Sequence, residues 1–196
     1  GPRRGRRQVT LAAQERDEQL GAGGPARGAH RLLLPLGICL ASFAQAQQYS
    51  PGSTDIKAGQ GTVRVNAGYV SHFNANSFHV YSFQYRPTGT DSVWNQLPLL
   101  ARSEAPPAEF LVKATATADF PLRDARVVVE AGKVSVYIAE LTFKDTPYDD
   151  DATVELKRYL LKQQPDEERW VLVLDSTRRL ANGIDVTQAL AKLPSR

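Results

Sequence analysis

The sequence predicts a mainly β domain, an antiparallel sandwich or strongly curved sheet of about seven to nine strands with one short C-terminal helix. Three observations carry this expectation. Beyond residue 60, apolar residues recur at every second position in several stretches. Clusters of Pro, Gly, Asn and Asp separate those stretches. Helical spacing is confined to the C-terminal end, with no βαβ rhythm.

In chain order, residues 1–26 are rich in Arg, Gly, Ala and Gln without a starting Met, and read as an upstream extension. Residues 27–46 read as a secretory signal peptide. Arg27, His30 and Arg31 form the basic lead, an apolar run extends from Leu32 to Phe43, and Ala44-Gln45-Ala46 offers the small-x-small cleavage pattern. A membrane span needs about 20 apolar residues, and this run has roughly a dozen, interrupted by Pro35 and Gly37. Cys39 is preceded by Ile38, not a small residue, which argues against a lipoprotein. The mature chain is therefore expected to be a single domain, 47–196, working in the periplasm with no span left after cleavage.

Removing the leader changes the charge balance. Seven of the 24 Lys and Arg, and three of the 21 Asp and Glu, fall within 1–46. That leaves 17 basic against 18 acidic residues, so the basic character belongs to the leader. No basic stripe marks the mature part as a nucleic-acid binder. Cys39 is the single cysteine, so the mature chain has no disulfide and no thiolate chemistry. A domain of about 150 residues buries enough surface to fold without such staples.

Residues 47–60 hold Pro51, Gly52 and Gly59 with little periodicity and read as a loose lead-in. Val63, Val65, Ala67 and Tyr69 then alternate with Thr62, Arg64 and Asn66, as in a half-buried strand. A second strand spans 77–85, with Phe78 and Val80 on one face and His79, Tyr81, Phe83 and Tyr85 on the other. If Phe78 faces the interior, Phe78→Asp unfolds the domain. Pro87, Gly89 and Asp91 mark a turn. A weaker strand over 94–101 is confined by Pro98 to an edge or bulge, and Pro106-Pro107 forces a loop. Phe110, Val112 and Ala114 form another strand, and 126–130 with 133–143 form a hairpin turning at Ala131-Gly132. Val154, Leu156 and Leu160 mark the next strand, and Trp170 to Leu174 a strand buried on both faces. Asp185 and Gln188 have capping-box spacing ahead of Val186, Ala189, Leu190 and Leu193, and Pro194 ends that helix.

Catalytic chemistry has little to stand on. His72 and His79 are the mature chain's imidazoles, and a zinc site needs three or four converging ligands. Ser71 and Ser77 flank them, but neither a GxSxG elbow nor an SxxK pair is present. Asp149-Asp150-Asp151 lack the alternation and the turn glycine of a calcium loop. No metal and no cofactor is expected, and no catalytic residue is assigned. The richest stretch runs from His72 through Phe73, Asn74, Asn76, Ser77 and His79 to Tyr81. It reads either as a turn entering an aromatic strand or as a polar-aromatic recess for a ligand or partner.

That stretch, His72-Phe73-Asn74-Ala75-Asn76-Ser77-Phe78-His79-Val80-Tyr81-Ser82-Phe83, resembles the CarG-type carbapenem self-resistance family. It departs from the usual form at Asn76, where a histidine is common. Thr146-Pro147-Tyr148-Asp149, with the strand from Thr153, is similar as well. The resemblance implies a small periplasmic, mainly antiparallel β protein that protects against carbapenems without hydrolysing them, and it brings no catalytic residues. Two alternatives stand beside it: an envelope partner-binding domain without an antibiotic role, and a metal-assisted or serine hydrolase around His72 and His79. Partners are an unknown ligand or a periplasmic protein, and an edge strand leaves room for a homodimer.

Overall fold

The computed structural model describes residues 49–74, 77–89, 93–101, 109–164, 166 and 168–194. Residues 1–46, where an upstream extension and a signal peptide are expected, lie outside the described residues, as do Asn76 and the Pro106-Pro107 loop. The fold is the expected β architecture: among the described residues, ten strands form one continuous, folded-over sheet, with one short helix.

The first strand corrects the expectation of a loose lead-in. β1 (Gly52–Ala58) pairs antiparallel with β2 (Gly61–Val70) along its whole length. Its side chains are mostly exposed, with Ile56 alone fully buried, so it shows no alternation. Backbone hydrogen bonds hold it, helped by polar cross-strand pairs: Arg64 is bidentate on the Asp55 carboxylate at 2.7 and 2.9 Å, and the Ser53 hydroxyl donates to Asn66.

β3 (Phe78–Pro87) organises the rest. One edge takes β2 from Val70 opposite Phe78 to Gly61 opposite Pro87. The other edge is shared. At its start, His79–Tyr81 pair with β6 (Val112–Ala116). At its end, Gln84 and Tyr85 pair with β4 (Asn95–Gln96). Through β6 the sheet continues into β7 (Pro121–Glu130), β8 (Lys133–Thr142), β9 (Thr153–Gln164) and β10 (Arg169–Arg179). Beyond β4, β5 (Leu99–Leu100) pairs parallel with β10. Residues 95–100 therefore stitch the two halves of the folded sheet. The expected 94–101 strand is broken at Pro98, which has no N–H to give; its carbonyl accepts from Leu172 N–H at 2.9 Å.

The space between the halves is filled by Val63, Val65, Tyr81, Phe83, Leu97, Val136 and their neighbours. The face division read for β3 holds, and the deep face is the one carrying Tyr81, Phe83 and Tyr85. Phe78 is half-buried, with Lys113 Nζ 4.1 Å from its ring centre, so Phe78→Asp is not the disruptive substitution. The β7–β8 hairpin turns at Ala131-Gly132, both at positive φ, 49° and 77°. β7 begins at Pro121, earlier than expected, because Arg123 and Asp124 interrupt its apolar pattern. β10 is buried on both faces as expected, Leu172 inside the sandwich and Val171 and Val173 against Leu100.

The helix α1 (Val186–Ala191) lies on the outer face of the second half, covering Ala139 and Val154 with Val186, Ala189 and Leu190. Asp185 caps it, accepting from Gln188 N–H at 2.7 Å. The Arg126 guanidinium caps its other end by donating to the Leu190 carbonyl at 2.7 Å.

Candidate functional site

Register places three connections at one end of the sandwich. Phe78 follows directly on residues 71–77. Ala114 lies opposite His79, so the 117–120 turn leaves β6 toward that same end. Arg123 lies opposite Glu140, which brings residues 143–152 there as well. Side chains join two of these connections. The Tyr148 hydroxyl donates to Asp119 Oδ2 at 2.6 Å, and the Tyr148 and Phe120 rings meet edge to face at 5.3 Å.

The sequence-predicted residues divide between the surface of this loop end and the layer beneath it. His72, Phe73 and Ser77 belong to one tight turn. The Ser77 hydroxyl accepts His72 N–H at 3.0 Å and donates to the Asn74 carbonyl at 2.9 Å. Phe73 N–H donates to the Ser71 hydroxyl. These contacts hold Phe73 at φ 57°, a left-handed position unusual for a bulky residue. Its ring is 98% exposed. The His72 ring tilts against Phe78 at 5.7 Å. Tyr69, at the end of β2, is also exposed, so the rim of the loop end carries Tyr69, Phe73 and Tyr148.

His79 sits one layer down, 7% exposed, its ring 4.8 Å from that of Tyr69. Its Nδ1 is buried without a hydrogen-bond partner. Burial pushes the imidazole pKa below its ordinary 6.5. As pH falls, the unfolded chain then binds the proton first. The stability tied to this ring is intact above about pH 6.5 and is lost as pH drops through the lower folded value. In thermal scans, the melting temperature of wild type is expected to fall more between pH 7 and pH 5 than that of His79→Leu. Equal falls would mean that the ring is solvated.

Tyr81 lies deeper still, inside the core. Burial, and then the negative charge of Asp124, push its phenol pKa up. Tyr49 covers it edge to face at 5.5 Å, and the Tyr49 hydroxyl accepts Val127 N–H at 2.8 Å. Asp124, 3% exposed, accepts Ala125 N–H at 2.8 Å. The structure thus brings His72, Phe73 and Ser77 together at the surface, and puts His79 and Tyr81 in the floor that supports them.

Among the described residues, this arrangement presents surface and assembles no activated nucleophile. Both hydrogen-bonding roles of the Ser77 hydroxyl are engaged within its turn. Among the described residues, no hydrogen bond joins a serine hydroxyl to either imidazole, and no three His, Cys, Asp or Glu side chains converge as a metal site requires. Asp149, the first of the three consecutive acids, works for its own loop. It accepts Asp145 N–H, Thr146 N–H and the Thr146 hydroxyl, which hold its carboxyl below the usual range, the Thr146 N–H foremost.

No protein-family model matches the chain, and no curated protein does. Among solved structures, the crystal structure of CarG superposes with a TM-score of 0.57 over 74% of this chain and 93% of CarG, at 16% identity. This chain has the CarG fold. At that identity the likeness is one of fold. The two sequence blocks that resemble the CarG-type family, 72–83 and 146–149, both meet the loop end of this CarG-like sandwich, although some 60 residues of chain separate them.

Sequence reasoning missed two features. The Tyr148–Asp119 clasp joins residues 29 apart, and nothing local announces it. A recess at the opposite end of the sandwich, around Tyr85 and Trp170, combines five separate chain segments. One local signal was available for the buried carboxylate: Asp124 stands in a strand with apolar residues on both faces, where an acid must be held by partners.

Proposed function

We propose that this protein is an exported, non-enzymatic binding protein of the CarG type, protecting against carbapenems by engaging a periplasmic partner and not by hydrolysis. Phe73 carries the reading. A ring 98% exposed at positive φ costs free energy in the isolated chain, and a turn built from two serine hydroxyls holds it there. A projecting aromatic is a knob for a partner's pocket and does not itself enclose a small molecule. Tyr69 and Tyr148 widen the contact.

The test uses a strain lacking the gene, complemented with wild type or Phe73→Ser. Wild type is expected in the periplasmic fraction, beginning near Gln47, and is expected to restore carbapenem survival. Phe73→Ser is expected to lose that protection with an unchanged melting temperature. Full protection by the variant would remove Phe73 from the contact. No protection by wild type would remove the antibiotic role, and catalytic loss of carbapenem with purified protein would remove the non-enzymatic reading.

A further inference from the structure

The end of the sandwich opposite Phe73 carries a recess of about 570 Å³, within the range of small-ligand sites of about 300–1,000 Å³. It opens where the β1–β2 turn, the β7–β8 turn and the facing ends of β9 and β10 meet. The aromatic wall is Tyr85 and Trp170, their ring centres 4.6 Å apart at 57°. Tyr85 is fixed by its hydroxyl, which donates to the Gln60 carbonyl at 2.7 Å. Trp170 is half-buried and leaves part of its ring open to the recess. The two turns touch through glycine backbone: a Cβ on Gly59 would lie 3.2 Å from Gly132 Cα. A side chain at Gly59 would force the two turns apart by a few tenths of an ångström.

The charged side chains that line the recess among the described residues are both lysines. Lys133 and Lys162 are exposed at its mouth, and among the described residues neither forms an ion pair and no acidic side chain lines the recess. An apolar aromatic wall beneath two free ammonium groups suits a ligand with a flat apolar body and an anionic group. We infer that this recess is a binding site for small aromatic or heterocyclic carboxylates, with the ring against Trp170 and the carboxylate between Lys133 and Lys162. It is separate from the loop end: Gly61 and Pro87 pair at this end of β2 and β3, and Val70 and Phe78 at the other.

The probe is 2-naphthoate, with 2-naphthalenemethanol as its uncharged counterpart, titrated calorimetrically into the purified protein. The carboxylate is expected to bind one to one and at least about tenfold more tightly than the alcohol. Lys133→Ala combined with Lys162→Ala is expected to erase that difference without changing the melting temperature, since both side chains are exposed. The protein has two tryptophans, and naphthoate should shift the indole N–H resonance of Trp170 but not that of Trp94. Absence of binding, equal affinity for acid and alcohol, an unaltered preference in the double variant, or a shift at Trp94 alone would each overturn the inference.

Discussion

Phe83→Ala is expected to destabilise the domain by about 3–5 kcal/mol, the usual cost of emptying a large aromatic site in a closed core. Phe83 is 0% exposed, lies opposite Val65 in the β2–β3 register, and fills the space between the sheet halves. Its carbonyl accepts from Leu97 N–H at 2.9 Å, so the ring sits beside the stitch formed by residues 95–100. Collapse around the vacated volume would pull on that stitch, and the cavity will persist in part. The loss compares with a total of about 5–15 kcal/mol for an ordinary domain. Phe78→Ala, five residues earlier on the half-buried face, should cost about 1 kcal/mol. Urea unfolding measures both as shifts in midpoint at constant slope. A larger loss for Phe78→Ala than for Phe83→Ala would mean that the strand's inner and outer faces have been exchanged.

Gly61→Val is the second large effect, and it comes from crowding. A Cβ at Gly61 would lie 2.5 Å from the Arg86 carbonyl oxygen and 2.6 Å from the Tyr85 hydroxyl. The first obstacle is backbone, which cannot swing aside. The second is a hydroxyl already bound to the Gln60 carbonyl. Overpacking of this kind costs about 1–3 kcal/mol, and loss of the hydrogen bond adds about 1 kcal/mol. Gly68→Ala is the matched control, because nothing lies within 4 Å of a Cβ there. It should be neutral, or stabilising by less than about 1 kcal/mol. Thermal melts that rank Gly68→Ala as the more damaging variant would contradict the close approach of β2 and β3 at Gly61.

The contrast between these glycines shows what sequence can and cannot reveal. Each reads simply as a glycine in or near a strand; the register of the neighbouring strand decides which is indispensable. Alternation identified β2 and the aromatic face of β3, because Val65, Tyr81 and Phe83 are buried while the residues on either side of each are only half-buried. Ala131-Gly132 announced its hairpin, and Asp185 with Gln188 announced the helix start, because both signals are local in the chain. β1 was invisible, since an edge strand held by backbone bonds needs no apolar alternation. The candidate site was half legible. The run from His72 to Ser77 encodes its own turn through nearby hydroxyls. The clasp of Tyr148 on Asp119, and the meeting of Tyr85 with Trp170, depend on strands brought together from distant parts of the chain.

The short stitch at residues 95–100 bears on how the molecule comes apart. Leu97 and Leu99 are sealed in the interior only while β3 holds one side of the segment and β10 the other. Those two strands are remote in sequence, so joining them carries one of the larger chain-entropy penalties in the fold. Neither half of the sheet can therefore shed its neighbour gradually: releasing the splice admits water to both inner faces at once. Cooperativity in this domain is concentrated in a few residues around a proline, far from the aromatic tip and clear of its loops.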